Sequence, residues 1–298
     1  MHLPQTDLTG GRPDVHLVRE VAATARELEL AAVSANDHLS FTRPWLDGPT
    51  LLAAVAHEVG DLELATTVAL PVLRGPAQLA ASLAALAALA PGRVVAGVGP
   101  GSSAADYALA GLPFEERWSR FDEAVTVLRG LLAGGPAPES WAGPLPTGVV
   151  ASGPVPLWVA SWGSRAGLGR VARLGDGWLA SAYNTTPERF AQARTLLRRA
   201  AEERGRTEPA AALATMWTFL TTDEAEADRV LRDVLAPALR RDPVELAGRT
   251  CIGPPGRCAQ LLSSYAAAGC SRVYFWPVAD PVAQLHLLVR DVLPHVRS

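Results

Sequence analysis

Short runs of β-branched and alanine residues alternate with longer amphipathic runs along nearly the whole chain. This rhythm constrains the fold more than any other feature. Strands separated by helix-length segments do not pair as hairpins; each crossover brings the next strand back parallel to the last. Helices are expected over 14–28, 50–59, 76–90, 115–132, 187–203, 224–239, 254–268 and 281–296. In the first of these, Val15, Val18, Val21, Ala22, Ala25 and Leu28 form one apolar stripe. Another helix follows Ser164 and runs to Leu174. Strands are expected over 31–35, 62–70, 93–98, 157–160, 177–180, 211–220 and 271–276, and Leu3-Pro4 reads as the end of a clipped first strand.

Counting the clipped strand, the fold class is α/β: a single (β/α)8 TIM barrel spanning residues 1–298 as one domain. A doubly wound open sheet is the architectural alternative, and the even strand–helix count favours closure. Hydrophobic residues make up 49% of the chain, enough for a large core. A net charge of −3 offers no basic surface for nucleic acid, so a small-molecule substrate is the expected partner. The apolar run 78–91 is barrel-helix length, short of the roughly 18 residues that mark a membrane span. No secretory leader is visible. Three cysteines with no C-x-x-C pair fit a reducing cytoplasm.

In such a barrel the chemistry gathers at the C-terminal ends of the strands. The polar tips are therefore the candidates: Asp37 and His38, Thr66 and Thr67, the run Gly97 to Gly101, Ser161 to Arg165, and Trp276. His38 can move a proton near neutral pH, or can be a structural histidine bonded to Asp37 or a nearby loop. Asp37 can orient that ring or cap the following turn. Gly97-Val98-Gly99-Pro100-Gly101 lacks the third glycine of a dinucleotide fingerprint, and its glycines suit close approach of a flat ring system. Ser161-Trp162-Gly163-Ser164-Arg165 joins a strand to a helix. Its exposed N–H groups and Arg165 suit a phosphate, while Ser164 as an ordinary N-cap is the plainer reading. Trp158, Trp162 and Trp178 read as core or pocket wall. No G-x-S-x-G, H-E-x-x-H or Walker motif occurs, and no Cys/His cluster has zinc spacing, so no metal is expected.

Four stretches in order resemble the bacterial luciferase-like family of flavin- and deazaflavin-dependent oxidoreductases: 32–39 with its Asp-His tip, 64–80, 91–99, and 156–178. The resemblance runs from about Leu3 to Pro294. It implies a (β/α)8 barrel with coenzyme F420, or alternatively FMN, across the strand tips. It places His38 against the redox ring, with Asp37 beside it. Thr66, Thr67 and Val68 would line the ring; Gly97, Gly99, Ser161, Gly163, Ser164 and Arg165 would meet the cofactor, tail and phosphate included. It also implies a cis Thr67-Val68 peptide and a homodimer. The preferred activity is F420-dependent reduction of an organic small molecule. An FMN monooxygenase using O2 and a flavin reductase in trans is the alternative, and a non-catalytic flavin-binding barrel the rival from another class. Two departures are visible. Met1 lies inside the family's usual first strand. Pro100 stands where sugar-phosphate and alcohol oxidisers place an acid, which favours a reductase or monooxygenase. The loops 40–48 and 134–154 are expected to set the substrate.

Overall fold

The computed structural model describes residues 1–135 and 153–297. Most of the long Gly/Pro-rich loop expected before residue 157 lies outside the described residues. Strands β1 (Ala32–Ala35), β2 (Glu63–Ala69), β3 (Val94–Val98), β4 (Leu157–Ala160), β5 (Gly177–Ser181), β6 (Ala210–Leu220) and β7 (Cys251–Gly253) pair in chain order. Every pairing is parallel, giving a curled half-barrel. Strand β8 (Arg272–Pro277) joins it through β6, which is 11 residues long and serves two partners. Its Ala212 to Thr218 portion pairs with β8, and Thr218 to Leu220 with β7. The segment Met1 to Leu3 bonds on both sides. Ser34 N donates to Met1 O, Leu3 N to Ser34 O, and His2 N to Phe275 O of β8. The clipped strand read at Leu3-Pro4 thus makes its ladder bonds slightly earlier.

Strand β7 is an addition to the sequence reading. It has three residues, all buried, and is too short to show a period. The helices otherwise fall close to expectation. They include α1 (Val15–Glu27), α2 (Gly48–Val55), α3 (Pro71–Arg74), α4 (Pro76–Leu89), α5 (Ala104–Leu109), α6 (Arg117–Leu132), α7 (Arg165–Leu174) and α8 (Pro187–Glu202). Side-chain caps start several of them: Asp14, Asp47, Ser103, Ser164 and Thr186 each accept an orphan N–H of the first turn. Helices α3 and α5 were not legible as helices, having four and six residues.

Alternation along each strand sorts the core into two layers. Val33, Leu64, Val94, Ala96, Leu157, Val159, Trp178 and Ala211 pack outward beneath the helices. Their neighbours Ala32, Ala65, Val95, Leu179 and Ala212 pack inward, with Trp217, Tyr274 and Trp276. The inner residues of the lower strands are mostly small, and the large aromatic ones fill the space toward the strand ends. Among the described residues no helix is long and apolar enough to cross a membrane.

Candidate active site

A groove opens where the strands end. Its inner part, about 150 Å³, is walled by the tips of β1, β2, β5, β6 and β8. It continues into an outer arm of about 330 Å³ between the turn after β3, the start of α6 and the turn after β4. Val68, Gly101, Ser102, Ala160 and Trp162 line both, so the two form one channel.

Three consecutive residues leave β1 and each is anchored differently. Asn36 is held by Gln5, whose amide accepts from Asn36 N at 2.6 Å and donates to Asn36 O at 2.9 Å. The same Gln5 nitrogen donates to Leu46 O, and Trp45 Nε1 donates to Asn36 Oδ1 at 3.1 Å. Asp37 accepts from Leu70 N at 3.0 Å and from Arg74 in a two-pronged pair at 2.6 and 2.7 Å. The fork geometry makes this a strong charge-assisted contact. Arg74 also pairs with Asp47, the N-cap of α2, and the two carboxylates hold its guanidinium above its ordinary range despite desolvation. His38 turns the other way. Its Nδ1 lies 3.1 Å from Oδ2 of Asp106, while Phe41 and Trp45 pack against its ring. Asp37 therefore does not orient His38, as the sequence suggested it could.

Asp106 is the residue that sequence reading missed. It is 1% exposed and sits in the first turn of α5, whose N-cap Ser103 accepts from Asp106 N. An acid three residues after a serine cap usually reaches back to the cap. Here it reaches across to His38 and to Ser40 N at 2.6 Å, so both carboxylate oxygens are engaged. With Nδ1 bonded to Asp106, the Nε2 of His38 is the ring nitrogen left for the groove.

The strand parity separates the two threonines. Thr67 lines the groove, and its hydroxyl is buried without a partner among the described residues. Thr66 Oγ1 donates to Gly97 O at 2.7 Å and ties β2 to β3 away from the groove. Gly97 has no room for a side chain, since a Cβ would lie 2.1 Å from Thr66 O. At Gly99, on the outer arm, a Cβ would lie 2.8 Å from Val68 Cγ2. The Thr67-Val68 peptide is cis, and Asp37 N donates to Val68 O at 3.0 Å. Tyr107 OH donates to Pro100 O at 2.5 Å and fixes the glycine turn; burial pushes its hydroxyl up to about 12.

The turn after β4 keeps only part of its expected set at the channel. Ser161 and Ser164 line the outer arm; Ser161 Oγ accepts from Gly163 N and Ser164 Oγ from Gly167 N. Gly163 shapes the turn at φ 91° without lining the arm, and Arg165 is exposed and does not line the arm either. The arm's cation is Arg117. It packs 3.9 Å from the Phe114 ring centroid and, among the described residues, pairs with no carboxylate. In the inner part Ser181 Oγ and Thr215 Oγ1 are 3.0 Å apart. Thr215 has φ 59°, an uncommon conformation for a β-branched residue, at a register shift in β6. Neither Arg117 nor Thr215 carries a motif in the sequence; only their place beside an aromatic pair and within a long strand could have drawn notice.

The profile of luciferase-like monooxygenases matches residues 1–272. An F420-dependent glucose-6-phosphate dehydrogenase of Rhodococcus hoagii is 29% identical, over 94% of this chain and 93% of its own length. An F420-dependent hydroxymycolic acid dehydrogenase of Mycobacterium tuberculosis is 28% identical, over 93% and 83%. An F420-dependent secondary alcohol dehydrogenase, solved with an F420-acetone adduct, superposes with a TM-score of 0.84 at 18% identity over 96% of each chain, a likeness of fold. Together with a parallel sheet whose polar tips converge on one groove, the profile match identifies the chain as a member of the luciferase-like monooxygenase family.

Proposed function

We propose that this protein is an F420-dependent oxidoreductase that reduces an organic small molecule, with His38 as the proton carrier. The observation that carries the reading is the buried His38–Asp106 pair at the inner end of a channel whose outer arm holds Arg117. The F420-dependent relatives support the choice of cofactor.

The residues present fit such a group. The unpartnered Thr67 hydroxyl offers one hydrogen bond at the floor of the inner part. Gly99 and Val68 form a close-packed surface with no space for another side chain, suited to a flat ring. Arg117, with the hydroxyls of Ser161 and Ser164 at the start of α7, gives the outer arm donors for a phosphate. When bound, the cofactor supplies a hydride, and the protein supplies orientation and proton management. Asp106 accepts from Nδ1 of His38 and so fixes the ring, leaving Nε2 to deliver a proton to the substrate oxygen. Asp37 acts one step removed: paired with Arg74, it fixes the backbone from which His38 projects. Phe41, Trp45 and Trp162 line the opening and exclude water from the inner part.

The wider reading has its own supports. Bonds from Met1–Leu3 to both β1 and β8 favour closure of the sheet into a full (β/α)8 barrel forming one domain. Three unpaired thiols favour a cytoplasmic site. A homodimer follows from the family resemblance alone. Titration of the purified protein with F420 and with FMN, read by cofactor fluorescence, tests the proposal. Saturable F420 binding at micromolar concentration or below, with weaker FMN binding, is expected. Tight FMN binding with none for F420 overturns it in favour of a monooxygenase served by a separate flavin reductase.

A further inference from the structure

We propose that the inner pocket takes an uncharged carbonyl or hydroxyl compound with an apolar body, and does not take a sugar phosphate; this rests on the oxidoreductase reading above. The first support is the inventory of charge. All 27 basic residues of the chain are arginine, so lysine is absent as a phosphate ligand. Among the described residues, no arginine lines the inner pocket. The stretch 136–152 contains no arginine, lysine or histidine and brings no cation either.

The arginines nearby are otherwise engaged. Arg74 is committed to Asp37 and Asp47. Arg117 lies in the outer arm, where it serves the cofactor phosphate. Arg241 donates to Asn184 Oδ1 and Arg249 to Tyr183 O, both outside the pocket lining. Asp37 and Asp106 also line it, each carboxylate already held by Arg74 and Leu70 N or by His38 and Ser40 N, so among the described residues the wall brings no uncommitted guanidinium or ammonium to a dianionic phosphate.

The second support is what the wall does offer. Phe41, Trp45, Trp217, Trp276 and Leu239 supply broad apolar surface. In the same lining as His38, Thr215 donates its hydroxyl to Ala214 O and Ser181 Oγ bonds Thr215, which leaves the Tyr183 hydroxyl as a donor to the pocket. Burial pushes the Tyr183 hydroxyl up, so it stays protonated and able to donate. A neutral substrate is thus gripped by ring faces along its body, with His38 and the Tyr183 hydroxyl as donors to its one polar end. Its reacting carbon would take the hydride from reduced deazaflavin as the C=O π pair moves to oxygen, and that oxygen would take the proton from His38. One C–H and one O–H bond form, the carbonyl is reduced by two electrons, and the deazaflavin is oxidised by two.

The test is a comparison of acetophenone with glucose 6-phosphate as ligands, read by quenching of tryptophan fluorescence. It is run on the F420-saturated protein and on Arg117→Ala protein without cofactor, so the outer arm is not the site reported. Saturable quenching by acetophenone and none by glucose 6-phosphate is expected in both. Tyr183→Phe, which keeps the ring and removes one donor, should weaken acetophenone binding by about fivefold. Glucose 6-phosphate binding in either protein, unsaturable acetophenone, or an unchanged Tyr183→Phe affinity overturns the proposal. Failure of the cofactor reading shows separately, as absent F420 binding, while the cofactor-free arm still decides the substrate class.

Discussion

His38 and Asp106 are 68 residues apart in sequence and 3.1 Å apart in the groove. If His38 delivers the proton, His38→Ala lowers turnover by about 10²–10⁴-fold, the usual size of general acid–base assistance, and changes F420 affinity far less. Unchanged turnover would return His38 to a structural role. Asp106→Asn keeps a hydrogen-bonding oxygen near Nδ1 but removes the carboxylate charge beside the ring. Turnover should fall by about tenfold or more while F420 affinity changes far less. Unchanged turnover would make Asp106 a packing residue only. The sequence made His38 legible because it ends an apolar strand, but it offered the adjacent Asp37 as the natural acid. The actual acid was hidden because Ser103-x-x-Asp106 reads locally as an ordinary helix start. The same limit hid the cation of the outer arm: Arg165 stood in the motif, whereas Arg117 reaches the arm from the start of α6.

At the level of elements, the Asp37–Arg74–Asp47 cluster joins the tip of β1, helix α3 and the cap of α2. Asp37's side chain is 5% exposed, so removing its partner leaves a carboxylate desolvated and uncompensated. Arg74→Gln should therefore cost on the order of 3 kcal/mol of stability in urea unfolding. The double variant Asp37→Asn/Arg74→Gln should recover much of that loss, because no buried charge is then stranded. Additive losses would mean that the cluster acts through packing alone. Little of this was readable in advance. Helix α3 is four residues ended by Gly75 at φ 78°, too short for periodicity to register. Long elements were the readable ones. The apolar stripe of α1, the Ser164 cap of α7 and the apolar runs of β2, β3 and β6 were each enough to fix the type of element.

Across the whole molecule, strand order was legible because each parallel crossover places the next strand beside the last. The branching of β6 between β7 and β8 was not, since no local pattern announces two partners for one strand. Where the sheet's two ends approach, His2 lies inside the fold. Its ring stacks on Trp276 with centroids 3.4 Å apart and planes within 6°. Nδ1 lies 3.3 Å from Ser34 Oγ, and Nε2 has no partner among the described residues. Burial, first, and neighbouring positive groups, second, hold its pKa well below the usual 6.5, so folded His2 stays neutral. An unfolded chain protonates this histidine as the pH falls through 6.5, whereas the folded chain does not. The stability it contributes is complete above that value and is lost as pH falls below it, with a slope approaching about 1.4 kcal/mol per pH unit for one group. His2→Phe retains the stack on Trp276 and removes the titration. Urea midpoints of both proteins, measured from about pH 8 down to about pH 5, should run parallel at the upper end and diverge below neutrality, with the parent falling faster. Parallel curves over the whole range would mean that His2 gains a proton in the folded state, and that the junction between Met1–Leu3 and β8 is open to water.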